Sequence, residues 1–91
     1  MKHFHYEWSD IGPESNVAVS LNKPAKVLFF DDANYKLFVD KRSHVSRGGM
    51  AEKQIDFSPT APGTWHLYVA ANAIGMLDVR VTLKIDSDVA A

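Results

Sequence analysis

From Leu77 to Ile85 apolar and polar residues alternate without interruption. Leu77, Val79, Val81, Leu83 and Ile85 fall on one side, and Asp78, Arg80, Thr82 and Lys84 on the other. A period of two fits a strand with one face on a core and the other in water, and it is the wrong period for a helix. At about 3.3 Å per residue, such a strand is roughly 30 Å long. The same alternation follows the Pro62-Gly63 turn, where Trp65, Leu67 and Val69 oppose Thr64, His66 and Tyr68. Trp65 brings on the order of 200 Å² to whichever face it takes, so that face is expected to be the core and His66 is expected to face out.

The rest of the chain repeats this grammar. Phe4, Tyr6 and Trp8 share one strand face, and His3, His5 and Glu7 share the other. After turn residues from Ser9 to Ser15, Val17, Val19 and Leu21 alternate with Asn16, Ala18 and Ser20. The short link Asn22-Lys23-Pro24 predicts that the strands it joins pair as an antiparallel hairpin. Val27 to Phe30 is apolar on both faces, which predicts a central strand covered on both sides. Asp32 then reads as an N-cap for one or two helical turns over 33–40, with Tyr35, Phe38 and Val39 as their apolar residues. Gly48-Gly49 predicts a tight turn or a bulge. Ile55 and Phe57 form the inward side of a short strand. Residues 71–75 read as the last turn, and 86–91, which has no pattern, as a frayed tail.

Together these signals predict an all-β fold: an antiparallel β-sandwich or barrel-like fold of six to seven strands with one short helical turn. Ninety-one residues make one domain, placed at 4–85. The chain has no cysteine, which removes disulfides, thiolate metal sites and cysteine nucleophiles, and favours a reducing, cytoplasmic setting. No apolar leader follows Met1, and no run reaches the roughly 18 apolar residues of a spanning helix. Ten basic against eleven acidic residues give a net charge of −1, which argues against binding nucleic acid through bulk electrostatics.

The layout resembles a small bacterial family classed as domain of unknown function 1883. The residues that carry the resemblance are His5-Tyr6 with Gly12, Val17-Ala18-Val19, Ala25-Lys26-Val27 with Asp31 and Asn34-Tyr35, Gly48-Gly49, and Pro62-Gly63-Thr64-Trp65-His66. It spans roughly Phe4 to Ile85. Where the family carries an aromatic pair before the double glycine, this chain has Ser46-Arg47. The resemblance implies a compact β domain. Some relatives are joined to a TIR-type signalling domain, which implies a recognition role in bacterial signalling. It implies no activity and no catalytic residues.

Three features offer chemistry. Arg42, His44 and Arg47 beside Gly48-Gly49 suit a small anionic ligand, because guanidinium groups fork onto carboxylate or phosphate. With Asn34 and Tyr35 they make up the candidate ligand-binding set. His3-x-His5 places two imidazoles on one strand face about 6.6–7 Å apart, and Glu7, His44 or His66 can supply a third metal ligand. The aromatic residues offer stacking surface, with Tyr35 and Tyr68 outside the inward strand faces. No serine occupies a nucleophile elbow, and Asp31 and Asp32 diverge if extended. The leading expectation is a non-catalytic binding or protein-interaction module without a cofactor. The alternative is a metal-dependent enzyme or metal-binding protein built on His3 and His5. Leu28 and Phe30 lie opposite Val27 and Phe29 and need a cover, either the helical turn or a second copy in a homo-oligomer.

Overall fold

A computed structural model of the chain describes residues 3–71 and 78–85. Seven strands and one helix follow in the order β1 (His3–Ile11), β2 (Ser15–Leu21), β3 (Ala25–Asp31), α1 (Asp32–Val39), β4 (Arg47–Ala51), β5 (Gln54–Phe57), β6 (Gly63–Ala71) and β7 (Val79–Ile85). They form two antiparallel sheets, one ordered β1-β6-β3-β4 and the other β5-β2-β7. The fold is therefore a sandwich and does not close into a barrel. No helix of the described residues is long and apolar enough to cross a membrane.

The core lies between the sheets. Val27 and Phe29 of β3 and Leu67 and Val69 of β6 are fully buried, facing Val17, Val19 and Leu21 of β2 and Phe57 of β5. Phe29 stacks on Phe57 and on Trp65, with ring centroids 5.1 Å apart in each pair. Phe4, Tyr6 and Trp8, and Val79, Val81 and Leu83, pack partly buried around this centre. Each belongs to an edge strand, which has one fewer neighbour to shield it. The alternation read from the sequence therefore assigns the core faces correctly. Leu77, the turn from Asn72 onward and the tail at 86–91 lie outside the described residues.

Three local expectations are corrected. The link Asn22-Lys23-Pro24 does not make a hairpin. It carries the chain from one sheet to the other, since β2 pairs with β5 and β7 while β3 pairs with β4 and β6. A short link permits pairing but does not require it, and in a sandwich the same length can turn a corner between layers. The helix cap is Asp31, not Asp32: its side chain accepts from the Asn34 backbone N–H at 2.9 Å. Asp32 thereby becomes the first helical residue, where its charge complements the helix dipole. Gly48-Gly49 is no turn but lies inside β4, with φ of +98° and +152°. A Cβ at Gly48 would collide with the carbonyl oxygen of Val27, so only glycine lets β4 approach β3 there.

The outward face of β3 is closed within one chain. Helix α1 packs on β3 and β6. Phe30 lies beneath it, against Tyr35, Phe38 and His44. Leu28 and Phe30 are 6% and 1% exposed, so they no longer call for a second copy as cover.

Candidate functional site

The same packing buries a histidine. Register places His66 directly opposite Phe30 on β3 and Glu7 on β1, on the face of β6 that turns away from the core. Because α1 covers that face, His66 is only 2% exposed. The expected outward direction of His66 therefore holds, but α1 rather than water covers that face. Alternation identifies which residues share a face but not what lies above that face.

Both ring nitrogens of His66 are engaged. Nε2 lies 2.8 Å from Asp32 Oδ1, and Nδ1 lies 2.8 Å from His5 Nε2. The His5 and His66 rings are coplanar to within 8°, an in-line imidazole pair. Tyr35 lies flat over both, with its centroid 4.0 Å from His66 and 4.5 Å from His5. Helix α1 makes this possible by carrying Asp32 in its first turn and Tyr35 three residues later, on the same side. Glu7, two residues beyond His5 on the same strand face, holds its Oε1 4.0 Å from His66 Nδ1.

The contact with Asp32 sets which His66 nitrogen donates. The Asp32 carboxyl is held below the usual carboxylate range, first by its hydrogen bond with His66 and then by Lys36, whose Nζ lies 3.1 Å away. Ionised, Asp32 can only accept, so His66 Nε2 carries the hydrogen and donates it. In the neutral ring Nδ1 is then a lone pair able to accept from His5 Nε2–H. The His5 imidazole is pushed below its ordinary value, chiefly by loss of hydration and then by the neighbouring His66.

The candidate anion residues do not form one cluster. His44 packs its ring against Phe30 and Phe38, with Nδ1 3.2 Å from the Arg42 carbonyl oxygen. Arg42 is exposed, and its backbone N–H closes the end of α1 on the Leu37 carbonyl. Asn34 and Arg47 do meet. They line a cleft of about 180 Å³ together with Asp31, Thr60, Trp65 and the 45–46 segment. Asn34 ties that segment to the helix start: its Oδ1 accepts from the Val45 N–H, and its Nδ2 donates to Asp31 Oδ1, both at 2.9 Å. The Arg47 guanidinium is steadied by donating to the Ser58 carbonyl at 2.6 Å. Trp65 presents an edge to the cleft while its indole N–H donates to the Ala61 carbonyl at 3.0 Å.

Of the two histidines in the His-x-His pair, the exposed His5 joins the network around buried His66. His3 stacks instead on Tyr68, with centroids 5.6 Å apart. Sequence reasoning offered His66 only as one of three possible third metal ligands and gave Asp32 only a capping role. One usable signal was present: an apolar outward face at Leu28 and Phe30, followed immediately by a helix carrying Tyr35 and Phe38 at a spacing of three.

A family model described as Domain of unknown function (DUF1883) matches residues 1–86 of the chain. No curated protein and no solved structure matches it.

Proposed function

The chain belongs to the DUF1883 family, and from its own geometry we propose that it is a non-catalytic binding module that receives the anionic group of a partner in the cleft between Asn34 and Arg47. One observation carries this reading. Arg47 is anchored at the cleft by a single hydrogen bond to a neutral carbonyl, and among the described residues no carboxylate lies within ion-pair distance of it. A guanidinium has five N–H donors in a planar fork, so several remain to meet a carboxylate or phosphate. The acid that lines the cleft, Asp31, already accepts two hydrogen bonds from Asn34. The cleft is smaller than the roughly 300 Å³ at which drug-sized ligand pockets begin, so it suits a single acidic group rather than a whole metabolite.

The partner is a protein or a small molecule bearing that group, not a nucleic acid, consistent with the net charge of −1. The cysteine-free sequence supports a cytoplasmic setting, and the family resemblance supports a recognition role in bacterial signalling.

Titration with inorganic phosphate and with succinate, followed on the indole N–H resonance of Trp65, tests the proposal. The expected result is a saturable shift that disappears in Arg47→Ala and partly survives in Arg47→Lys. An unmoved resonance at millimolar ligand, or the same titration in Arg47→Ala, overturns it.

A further inference from the structure

A second site needs nothing from the cleft. His5, Glu7 and His66 each present a potential ligand atom, and these atoms lie within 4.8 Å of one another. We propose that these three side chains hold a divalent transition-metal ion, zinc or a metal of similar preference, with a fourth position open to solvent. Three features support this assignment.

The first is spacing. Four-coordinate zinc with bonds of 2.0–2.1 Å sets its ligand atoms about 3.3 Å apart. His5 Nε2 and His66 Nδ1 lie 2.8 Å apart, and His66 Nδ1 and Glu7 Oε1 lie 4.0 Å apart. Opening the first gap and closing the second each take well under 1 Å, and the His5–Glu7 pair, which lies within 4.8 Å, closes as the Glu7 carboxylate moves in. Glu7 is half exposed and can swing in, while the in-line imidazoles have to turn by roughly 35° each for both to point at one tetrahedral ion.

The second is the proton arrangement. A ligating histidine commonly donates its other ring N–H to a carboxylate, which orients the ring and raises its basicity. Asp32 already stands in that relation to His66 Nε2, so in the neutral ring Nδ1 offers its lone pair toward His5, 2.8 Å away. His5 has only to move its single ring hydrogen from Nε2 to Nδ1 to become a ligand. Asp32 is therefore a positioning residue, and Tyr35, stacked on both rings, fixes the plane in which they act.

The third is charge. Glu7 Oε1 faces His66 Nδ1 at 4.0 Å, which puts a carboxylate beside the imidazole pair where a cation would sit. Two neutral imidazoles and one carboxylate leave a bound divalent ion with a net positive charge, suited to holding water or an acidic ligand at the open position. Imidazole with carboxylate favours zinc, cobalt, nickel or copper over magnesium or calcium.

The test uses the full chain, freed of any affinity tag and treated with chelator, titrated with Co²⁺ and then competed with Zn²⁺. One equivalent of Co²⁺ should give the visible absorption of a four-coordinate ion, and Zn²⁺ should displace it. His5→Ala and Glu7→Gln should each lose that spectrum while retaining a folded circular dichroism signal. Asp32→Asn should weaken binding about 10–100-fold, the effect expected for the carboxylate behind a ligating imidazole. His3→Ala should bind as the parent does. Nitrogen-15 spectra should show His5 changing tautomer as metal is added. Absence of a saturable cobalt spectrum overturns the proposal, leaving the trio a hydrogen-bonded network only. Binding that survives His5→Ala but fails in His3→Ala also overturns it and places the ion elsewhere on β1.

Discussion

The two faces of the sheet β1-β6-β3-β4 are built on different principles. The inner face is wholly apolar where it is deepest: Val27, Phe29, Leu67 and Val69 interlock with the opposite sheet. The face under α1 mixes Leu28 and Phe30 with His66, Tyr35, Asp32 and His5, and its buried imidazole is satisfied by two hydrogen bonds. Hydrophobic burial is non-directional and tolerates small shifts. A buried hydrogen-bonded chain does not, because each member left without its partner carries the cost of lost hydration. The inner face thus holds the sheets together, while the outer face demands one particular arrangement of α1 against β6.

Trp65 and His66 are chain neighbours on opposite faces, so truncating each probes the contrast. Trp65→Ala should cost about 3–5 kcal/mol, because it empties a large site beside Phe29. Set against a total of about 5–15 kcal/mol, this should leave the variant marginal in urea denaturation. His66→Ala should cost less, about 2 kcal/mol, through lost packing under Tyr35 and the loss of both hydrogen bonds. Equal midpoints for the two variants would show that the outer face contributes as much as the core. A His66→Ala midpoint unchanged from the parent would show that α1 does not close over it in solution.

The smallest effect concerns pH. The His5 imidazole is depressed below its ordinary 6.5 in the folded protein, so between the two values the unfolded chain binds more protons. Its contribution is fully present above that ordinary value and is lost as pH falls through the folded one. Urea midpoints measured in chelator from about pH 7.5 down to about pH 5 should fall more steeply for the parent than for His5→Gln. Asp32, depressed from 3.8, contributes in the same direction but at lower pH, so the two windows separate. Parallel pH profiles for parent and His5→Gln would remove His5 from the stabilising network.

The inner face was legible because alternation along one strand is a local signal. Trp65, Leu67 and Val69 declare a shared face within five residues, and the all-apolar run of β3 declares that both its sides are covered. The outer face was not legible, because its content depends on register between distant strands. His66 meets Phe30 and Glu7 only once β6 is inserted between β1 and β3, and no spacing in the sequence states that insertion. The one-residue shift of the helix cap mattered for the same reason. With Asp31 as cap, Asp32 belongs to the first helical turn and reaches His66. Arg42, His44 and Arg47, close in sequence, were separated because the chain leaves the helix there and turns each side chain toward a different neighbour.

The pairing of β1 with β6 also sets the order in which the molecule can be assembled. His5 and His66 are 61 positions apart in the chain, so their hydrogen bond requires closure of a loop longer than half its length. Loop-closure entropy is paid before any contact made by β1 repays it, and proteins dominated by such distant pairings fold in milliseconds to seconds rather than microseconds. Until then the strand bearing Phe4, Tyr6 and Trp8 has no partner, and His66 Nδ1 lacks the His5 ring it meets. The coplanar imidazole pair is consequently a late event in folding. Its formation marks the moment at which the two ends of the pathway, the first strand and the sixth, have met.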